Sequence, residues 1–281
     1  MARGPRKPRP SSSARRDPGA PAWLAGLHPV REALRARRRR LLRLRIRSDR
    51  PRREQAELLD LAARAGIPAE ALEPRAFEEI PGLEGHDQGV ALLAGPLPEL
   101  SLEELIEGAG AARPVGHAED RPRWIVALDG VEDPQNVGAL VRVAESAGVA
   151  GLLLTDRRAP RLTPAVSRAS AGAIEWLPVA RVPNLARALQ ALQRAHYWVV
   201  ACAPEADQTL FDLDDRHLEG SLVVVLGGEG RGVRRSILER ADHRVAIPMR
   251  GRVDSLNVST AGAIVLYDWV RRSISRAAGT A

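Results

Sequence analysis

The stretch "WIVALDGVEDPQNVGALVRVAESAGVAGLLLT", Trp124 to Thr155, carries three signals in a row. "WIVALDG" is a short apolar run of strand type. In "PQNVGALVRVAESAG", Val137, Leu140, Val141 and Ala144 fall at i, i+3, i+4 and i+7, the core stripe of a helix. "GLLLT" is a second apolar strand. Strands that are apolar throughout, joined by a helix, belong to a parallel sheet covered on both faces. Asp133 is placed to cap the helix, and Pro134 suits its first position. Arg142 falls off the core stripe, and Asn136 lies at the helix start beside the strand end. Taken alone, a surface arginine and a turn asparagine are the ordinary reading of both.

The same alternation continues to the C-terminus. "TPAVSRASAGA" reads as a helix, "EWLPVARV" as a strand, "NLARALQALQRA" as a helix and "WVVACA" as a strand. "SLVVVLGG" is a strand, "VRRSILERA" a helix, "HRVAIPM" a strand, and "SLNVSTAGAIVLYDWVRRSI" a long final helix. The expected fold class is α/β with a parallel sheet. Such sheets gather their ligands at the carboxyl ends of the strands.

Upstream the pattern is different. Residues 1–20 combine Pro, Ser, Gly and Arg with almost no large apolar side chains, the composition of a disordered basic arm. Residues 21–96 predict a small α/β unit. "HPVREALRARRR" is a helix, "LLRLRIRS" a strand, "REQAELLDLAARAGIP" a helix and "GVALLAG" a strand. Arg43, Arg45 and Arg47 are expected on one strand face, near the run Arg37 to Arg40. An ordinary solvated face and an RNA contact both fit, and the density of arginines favours RNA. Residues 97–121 read as a linker in which Ser101 and Glu104 cap a short helix. The remaining unit spans 122–281.

Composition narrows the function. Lys+Arg number 42 against 35 Asp+Glu, a net charge of +7, and the single lysine is Lys7. Two readings fit: a coding bias toward arginine, or an anionic partner such as RNA, DNA or a lipid surface. The one cysteine, Cys202, lies in an apolar strand and reads as an inert core thiol, so no disulfide framework or cysteine-built metal site is expected. The six histidines have no ligand spacing, so no metal is expected. No run of about 18 apolar residues suggests a membrane span, and the N-terminus lacks a signal core. A cytoplasmic protein is expected.

Two further loops carry chemistry. "VVVLGGEGRGV" places Gly227, Gly228, Glu229, Gly230 and Gly232 after an apolar strand, a turn that lets a ligand approach the backbone closely. It fits neither phosphate template. Val233 stands where a Walker loop needs lysine, and again where G-x-G-x-x-G needs its last glycine. In "VAIPMRGRVDSLNVSTAGAIVLY" a strand ends at Pro248, and Ser255, Leu256, Asn257 and Ser259 open a helix that Asp254 or Ser255 would cap. Val258, Ala261, Gly262, Val265 and Trp269 form its expected buried face.

Together, "DPQNVGALVR", "LGGEGRG" and "IPMRGRVDSLNVSTA" resemble, in order and spacing, the three motifs of the SpoU family of RNA ribose 2'-O-methyltransferases, members of the knotted SPOUT superfamily. The resemblance covers about residues 122–275. Residues 21–96 resemble the family's RNA substrate-binding domain, which is related to kink-turn-binding ribosomal proteins. The two-domain layout is most similar to bacterial enzymes that methylate a guanosine of 23S rRNA. Gln135 and Asp87 stand where histidines are common in the family.

This resemblance implies a deep C-terminal trefoil knot, S-adenosyl-L-methionine as cofactor, rRNA as substrate and a homodimer. It implies catalytic roles for Asn136, Arg142, Glu229, Ser255 and Asn257, and cofactor binding through Gly227, Ile247 and Leu256. Arg142 would stabilise charge on the ribose oxygen, in its own or the partner's site. Leu266 and Trp269 of the final helix would contribute to the dimer interface. The alternatives are a tRNA ribose methyltransferase, a resistance enzyme acting on an rRNA adenosine, and a non-catalytic RNA-binding assembly factor.

Overall fold

The structure is a computed structural model and describes residues 19–83, 87–108, 123–218 and 220–279. The basic arm expected over residues 1–20 lies outside these except for its last two residues, as does 109–121 of the expected linker.

Four short strands build the first sheet. β1 (Ala22–Ala25), β2 (Leu41–Arg47), β3 (Ala69–Leu72) and β4 (Val90–Ala94) pair in the order β1-β4-β2-β3. β4 runs antiparallel to β1 and β2, while β3 runs parallel to β2. Neither β1 nor β3 is anticipated from sequence, because four residues are too few for a period of two to stand out. Leu44 and Ile46 of β2 point inward to Val30 and Leu34 of α1 (Leu27–Ala36) and to Leu58 of α2 (Arg52–Arg64).

Arg43, Arg45 and Arg47 lie on the other face of β2, and acids meet them there. The Glu70 carboxylate is 3.9 Å from Arg43 and 3.4 Å from Arg45, Asp49 is 2.8 Å from Arg47, and Arg45 stacks over Trp23. The run Arg37–Arg40, expected beside that row, divides. Arg37 ends α1 in the left-handed conformation, which stops the helix three residues short of its expected end. Arg38 and Arg39 turn away from the row toward the larger sheet.

There Arg39 and Glu175 form a two-pronged ion pair, 2.9 Å at each contact, with side chains 4% and 1% exposed. Ser167 donates to the same carboxylate at 2.8 Å, and the Gly95 carbonyl accepts from Arg39. Arg38 donates to the carbonyls of Glu175 and Leu177, and the Trp176 indole donates to Glu32 at 3.0 Å. Burial pushes the Glu175 carboxyl up and the Arg39 guanidinium down, because loss of hydration outweighs their attraction. The joint also corrects a strand. "EWLPVARV" becomes extended only at Val179, because Ala173–Glu175 is a 3-10 turn whose acid is committed to Arg39.

In the larger sheet, β5 (Trp124–Asp129), β6 (Gly151–Thr155) and β7 (Val179–Val182) step outward in chain order. β8 (Tyr197–Cys202), β9 (Gln208–Thr209), β10 (Ser221–Gly227) and β11 (His243–Ala246) fill the other side, giving β7-β6-β5-β10-β8-β11-β9 among the described residues. All pairings are parallel, as the apolar strands predict. Alternate residues feed two cores. Val126, Leu128, Val224 and Leu226 face one, and Ile125, Ala127, Val223 and Val225 face the other.

The connecting helices are α3 (Pro74–Glu78), α4 (Leu102–Glu107), α5 (Pro134–Ser146), α6 (Pro164–Ala169), α7 (Leu185–Arg194), α8 (Arg235–Leu238) and α9 (Val258–Gly279). Ser101 and Glu104 form the expected reciprocal cap of α4, and Asp133 caps α5. α8 is one turn, shorter than "VRRSILERA" predicts, since Ile237 alone of its residues is buried. Leu266 and Trp269 are fully buried in this chain's own core, with Trp269 edge-on to Trp124, so they cannot form an outer interface. Burial pushes the Cys202 thiol up to about 12, in keeping with an inert thiol. No helix among the described residues is long and apolar enough to cross a membrane.

Removing one partner from the Arg39–Glu175 pair strands a buried charge. Arg39→Ala is expected to cost about 3–5 kcal/mol in chemical denaturation, whereas the double variant Arg39→Met with Glu175→Leu recovers most of that loss. A double variant no more stable than Arg39→Ala would show that the pair itself supplies net stability.

Candidate active site

β5 and β10 lie side by side, with Gly227 opposite Asp129 in the register. β6 and β7 continue to one side of this pair, and β8, β11 and β9 to the other. The carboxyl ends of β5 and β10 therefore open on a topological switch point, the crevice where such sheets bind ligands. The loops after these two strands carry the first two motifs.

The second loop is held by contacts that exclude larger residues. Gly228 N–H donates to Asp129 O, and Gly232 N–H to Gly228 O, each at 3.0 Å. A Cβ on Gly227 would lie 2.1 Å from the Gly232 carbonyl carbon, and one on Gly228 2.1 Å from Gly130 O. Gly230 and Gly232 take φ of +77° and +58°, which glycine adopts without strain. Asp129, 3% exposed, accepts from the backbone N–H of Arg234 at 2.8 Å and from its Nε at 2.7 Å. This pair fastens the far end of the glycine loop back to β5.

The three motifs meet at Asn257. Its Nδ2 donates to Asn136 Oδ1 at 2.8 Å and to Glu229 Oε1 at 3.2 Å, and Asn136 Nδ2 donates to the same Glu229 oxygen at 3.0 Å. The Asn257 side-chain oxygen accepts from the N–H and hydroxyl of Ser259 at 2.9 and 2.6 Å. Asn257 thus caps α9, a role expected of Asp254 or Ser255, and the helix starts at Val258 instead of Ser255. Beside the cluster opens a cleft of about 450 Å³, lined in part by Asp129, Asn136, Glu229, Arg158, Arg231 and Arg234.

The other candidates stand apart from this cluster. Arg142 is exposed on α5, and its guanidinium has no hydrogen-bond or ion-pair partner among the described residues. Six residues beyond Asn136, at about 1.5 Å and 100° each, it sits about 9 Å farther along the helix on a different face. Ser255 and Leu256 are exposed on the loop before α9, while Ile247 packs partly against the core. Gly227 ends β10 beneath the glycine turn; it does not line the cleft, nor do Ile247 and Leu256.

Four cleft residues escape the sequence reading. Asp129 offers a signal, an acid closing an apolar strand opposite a glycine loop. Arg231 and Arg234 sit in or beside the second motif, but their spacing gives no hint of which one is tied to Asp129. Arg158 has no sequence signal. No group of three or more His, Cys, Asp or Glu side chains among the described residues is placed to hold a metal.

Two amides and an acid beside a cleft lined in part by arginines, at the switch point of a parallel sheet, are an arrangement suited to an anionic ligand in an α/β enzyme. Residues 123–267 match the SpoU rRNA Methylase family, and residues 23–100 match the family described as RNA 2'-O ribose methyltransferase substrate binding. The chain belongs to the SpoU family and is a methyltransferase. It is 37% identical over 250 residues to the 23S rRNA (guanosine-2'-O-)-methyltransferase RlmB of Pseudomonas putida, covering 88% of this chain and 95% of that one. The RlmB of Xanthomonas campestris is 34% identical, over 90% of this chain and 97% of its own. In fold, the chain matches the SpoU methyltransferase AviRb from Streptomyces viridochromogenes, solved with AdoMet, at a TM-score of 0.71 and 24% identity over 91% of each chain.

The close approach of Gly228 to Gly130 generates a prediction. Gly228→Ala is expected to destabilise the fold by about 2–3 kcal/mol, since a methyl forced against backbone must displace it. The displaced loop should also lose activity by more than the stability change accounts for. Denaturation beside single-turnover methyl transfer measures both, and a stable, active Gly228→Ala would contradict the packing described.

Proposed function

We propose that the protein transfers the methyl group of S-adenosyl-L-methionine to the ribose 2'-oxygen of a guanosine in 23S rRNA, in the cytoplasm. The observation that carries this is the Asn136–Glu229–Asn257 cluster, to which each of the three motifs contributes one residue. The names and near full-length coverage of the RlmB relatives support the choice of substrate.

S-adenosyl-L-methionine, when bound, supplies an electrophilic methyl on a positively charged sulfur. The loop before α9 has the chemistry to hold an adenosyl group. Met249, Val253 and Leu256 are exposed apolar side chains, and no backbone N–H of residues 249–256 donates to another backbone group among the described residues. Those free donors, together with Gly227 and Ile247, form the proposed cofactor slot.

Glu229 accepts hydrogen bonds from both asparagines and so fixes their amides, which orient the ribose. Ser255 orients the substrate against the reactive end of the cofactor. Arg142 stabilises the charge that develops on the 2'-oxygen by hydrogen bonding. A guanidinium keeps its proton and is a poor proton acceptor, so its role is electrostatic; as the C–S bond breaks and the C–O bond forms, the 2'-hydroxyl proton passes to solvent.

Arg142 lies about 9 Å along α5 from Asn136 and on a different face, and this supports a homodimer in which it serves the partner's cleft. The exposed Tyr267 and Ile274, seven residues apart on α9, offer an apolar face for that pairing in place of the buried Leu266 and Trp269. We read the insertion of β10 between β5 and β8, with α9 packing back on α5, as the family's trefoil knot, an exception to the rule against threaded chains. The small sheet is the proposed RNA platform.

Labelled cofactor with unmodified 23S rRNA or tRNA, followed by mapping of alkali-resistant linkages, tests the reading; label confined to tRNA would overturn the substrate. Arg142→Ala should lose transfer while its cofactor affinity stays within several-fold. Mixing Arg142→Ala with Asn257→Ala protein should restore activity that neither has alone. Near-normal turnover by Arg142→Ala removes it from the chemistry, and failure of the mixture places it in its own cleft.

A further inference from the structure

Five residues other than glycine take a positive φ among the described residues: Arg37, Gln88, Arg158, Ala171 and His196. Four have an evident local reason. Arg37 ends α1, Ala171 and His196 follow α6 and α7, and Gln88 lies in the turn leading into β4, with its side chain accepting from Leu27 N–H. Arg158, at φ +60°, ends no helix and lies in the loop between β6 and α6, on the rim of the cleft.

The loop is clamped into that conformation from both sides. Arg181 on β7 donates to the carbonyls of Thr155 at 2.8 Å and Pro160 at 3.1 Å, and its Nε is held by Glu99. The Thr155 hydroxyl donates to the Arg157 carbonyl, and Asp156 N–H to Val182 O at 3.0 Å. Arg158 stands at the apex. Its exposed guanidinium has no hydrogen-bond or ion-pair partner among the described residues, whereas Arg234 across the cleft is bound to Asp129.

Left-handed backbone is strained for a residue with a Cβ, and glycine or asparagine takes it more readily. Strain imposed by its surroundings, on a free cation at the rim of a functional cleft, points to selection for what the side chain does. We infer that Arg158 is a substrate-binding residue that holds a phosphodiester of the RNA next to the ribose being methylated. The inference rests on the RNA methyltransferase reading above. The carboxylate of the cofactor is the other anion within the same chemistry. The phosphodiester is favoured because the proposed cofactor residues Gly227, Ile247 and Leu256 do not line this cleft.

The test compares wild type with Arg158→Gly and Arg158→Asn, two residues suited to the backbone. Thermal unfolding, equilibrium binding of a 23S rRNA transcript across a salt series, S-adenosyl-L-methionine affinity and methyl transfer are all measured. The expected result is opposed movement: Tm at or above wild type in Arg158→Gly, with RNA bound about tenfold more weakly by both variants, the usual scale for one charged contact. The slope of log K against log salt should become shallower by about 0.7, the share of one phosphate of a single strand. Cofactor affinity should stay within twofold. Unchanged RNA affinity and slope in both variants would overturn the inference, and weakened cofactor binding would assign Arg158 to the cofactor's carboxylate instead. RNA binding is read without turnover, so a wild type that binds RNA but transfers no methyl defeats the methyltransferase reading alone.

Discussion

One carboxamide holds the site together. The oxygen of Asn257 satisfies the first turn of α9, and its nitrogen satisfies Asn136 and Glu229 from two other loops. Rotating the amide would break both sets of bonds, so the helix start and the cluster are specified by the same side chain. Burial of Val265, Leu266 and Trp269 drives α9 onto the sheet, and that docking delivers Asn257 to the cluster. Core packing and the geometry of the cluster are therefore not independent in this protein.

The far end of the same helix is anchored just as firmly. Arg272, 8% exposed, donates to the carbonyls of Leu210, Phe211 and Leu213 and pairs with Asp215 and Asp268. A single guanidinium thereby ties down the 3-10 turn at Leu210–Asp212 that follows β9 and the residue after it. Asp129 plays the matching role at the glycine loop. In each place a buried charged group pins a short turn rather than a long helix or strand.

Features set by neighbouring residues were legible in the sequence. The β5–α5–β6 unit, the caps at Ser101 and Asp133, and the core stripe of α5 each depend on spacing within one or two turns. The family motifs added the three loops that converge on Asn257. What stayed hidden depends on residues distant along the chain. Arg39 read as one of several arginines facing RNA or solvent until the fold set it against Glu175, 136 positions later. That same contact turned "EWLPVARV" from a strand start into a 3-10 turn. Leu266 and Trp269 carry no mark of whether an apolar side chain faces its own core or another subunit. The left-handed backbone at Arg158 is imposed by Arg181 and is invisible in the local sequence.

The buried joint at Arg39 has a consequence for how the two sheets are placed. With Arg38, Arg39 and Glu32 fixed to the turn around Glu175, the small sheet cannot swing freely relative to the cleft. The span from that sheet to the cleft is then a constant of the fold. The two surfaces are held like the jaws of a locked caliper, at a separation that the buried ion pair and its hydrogen bonds set.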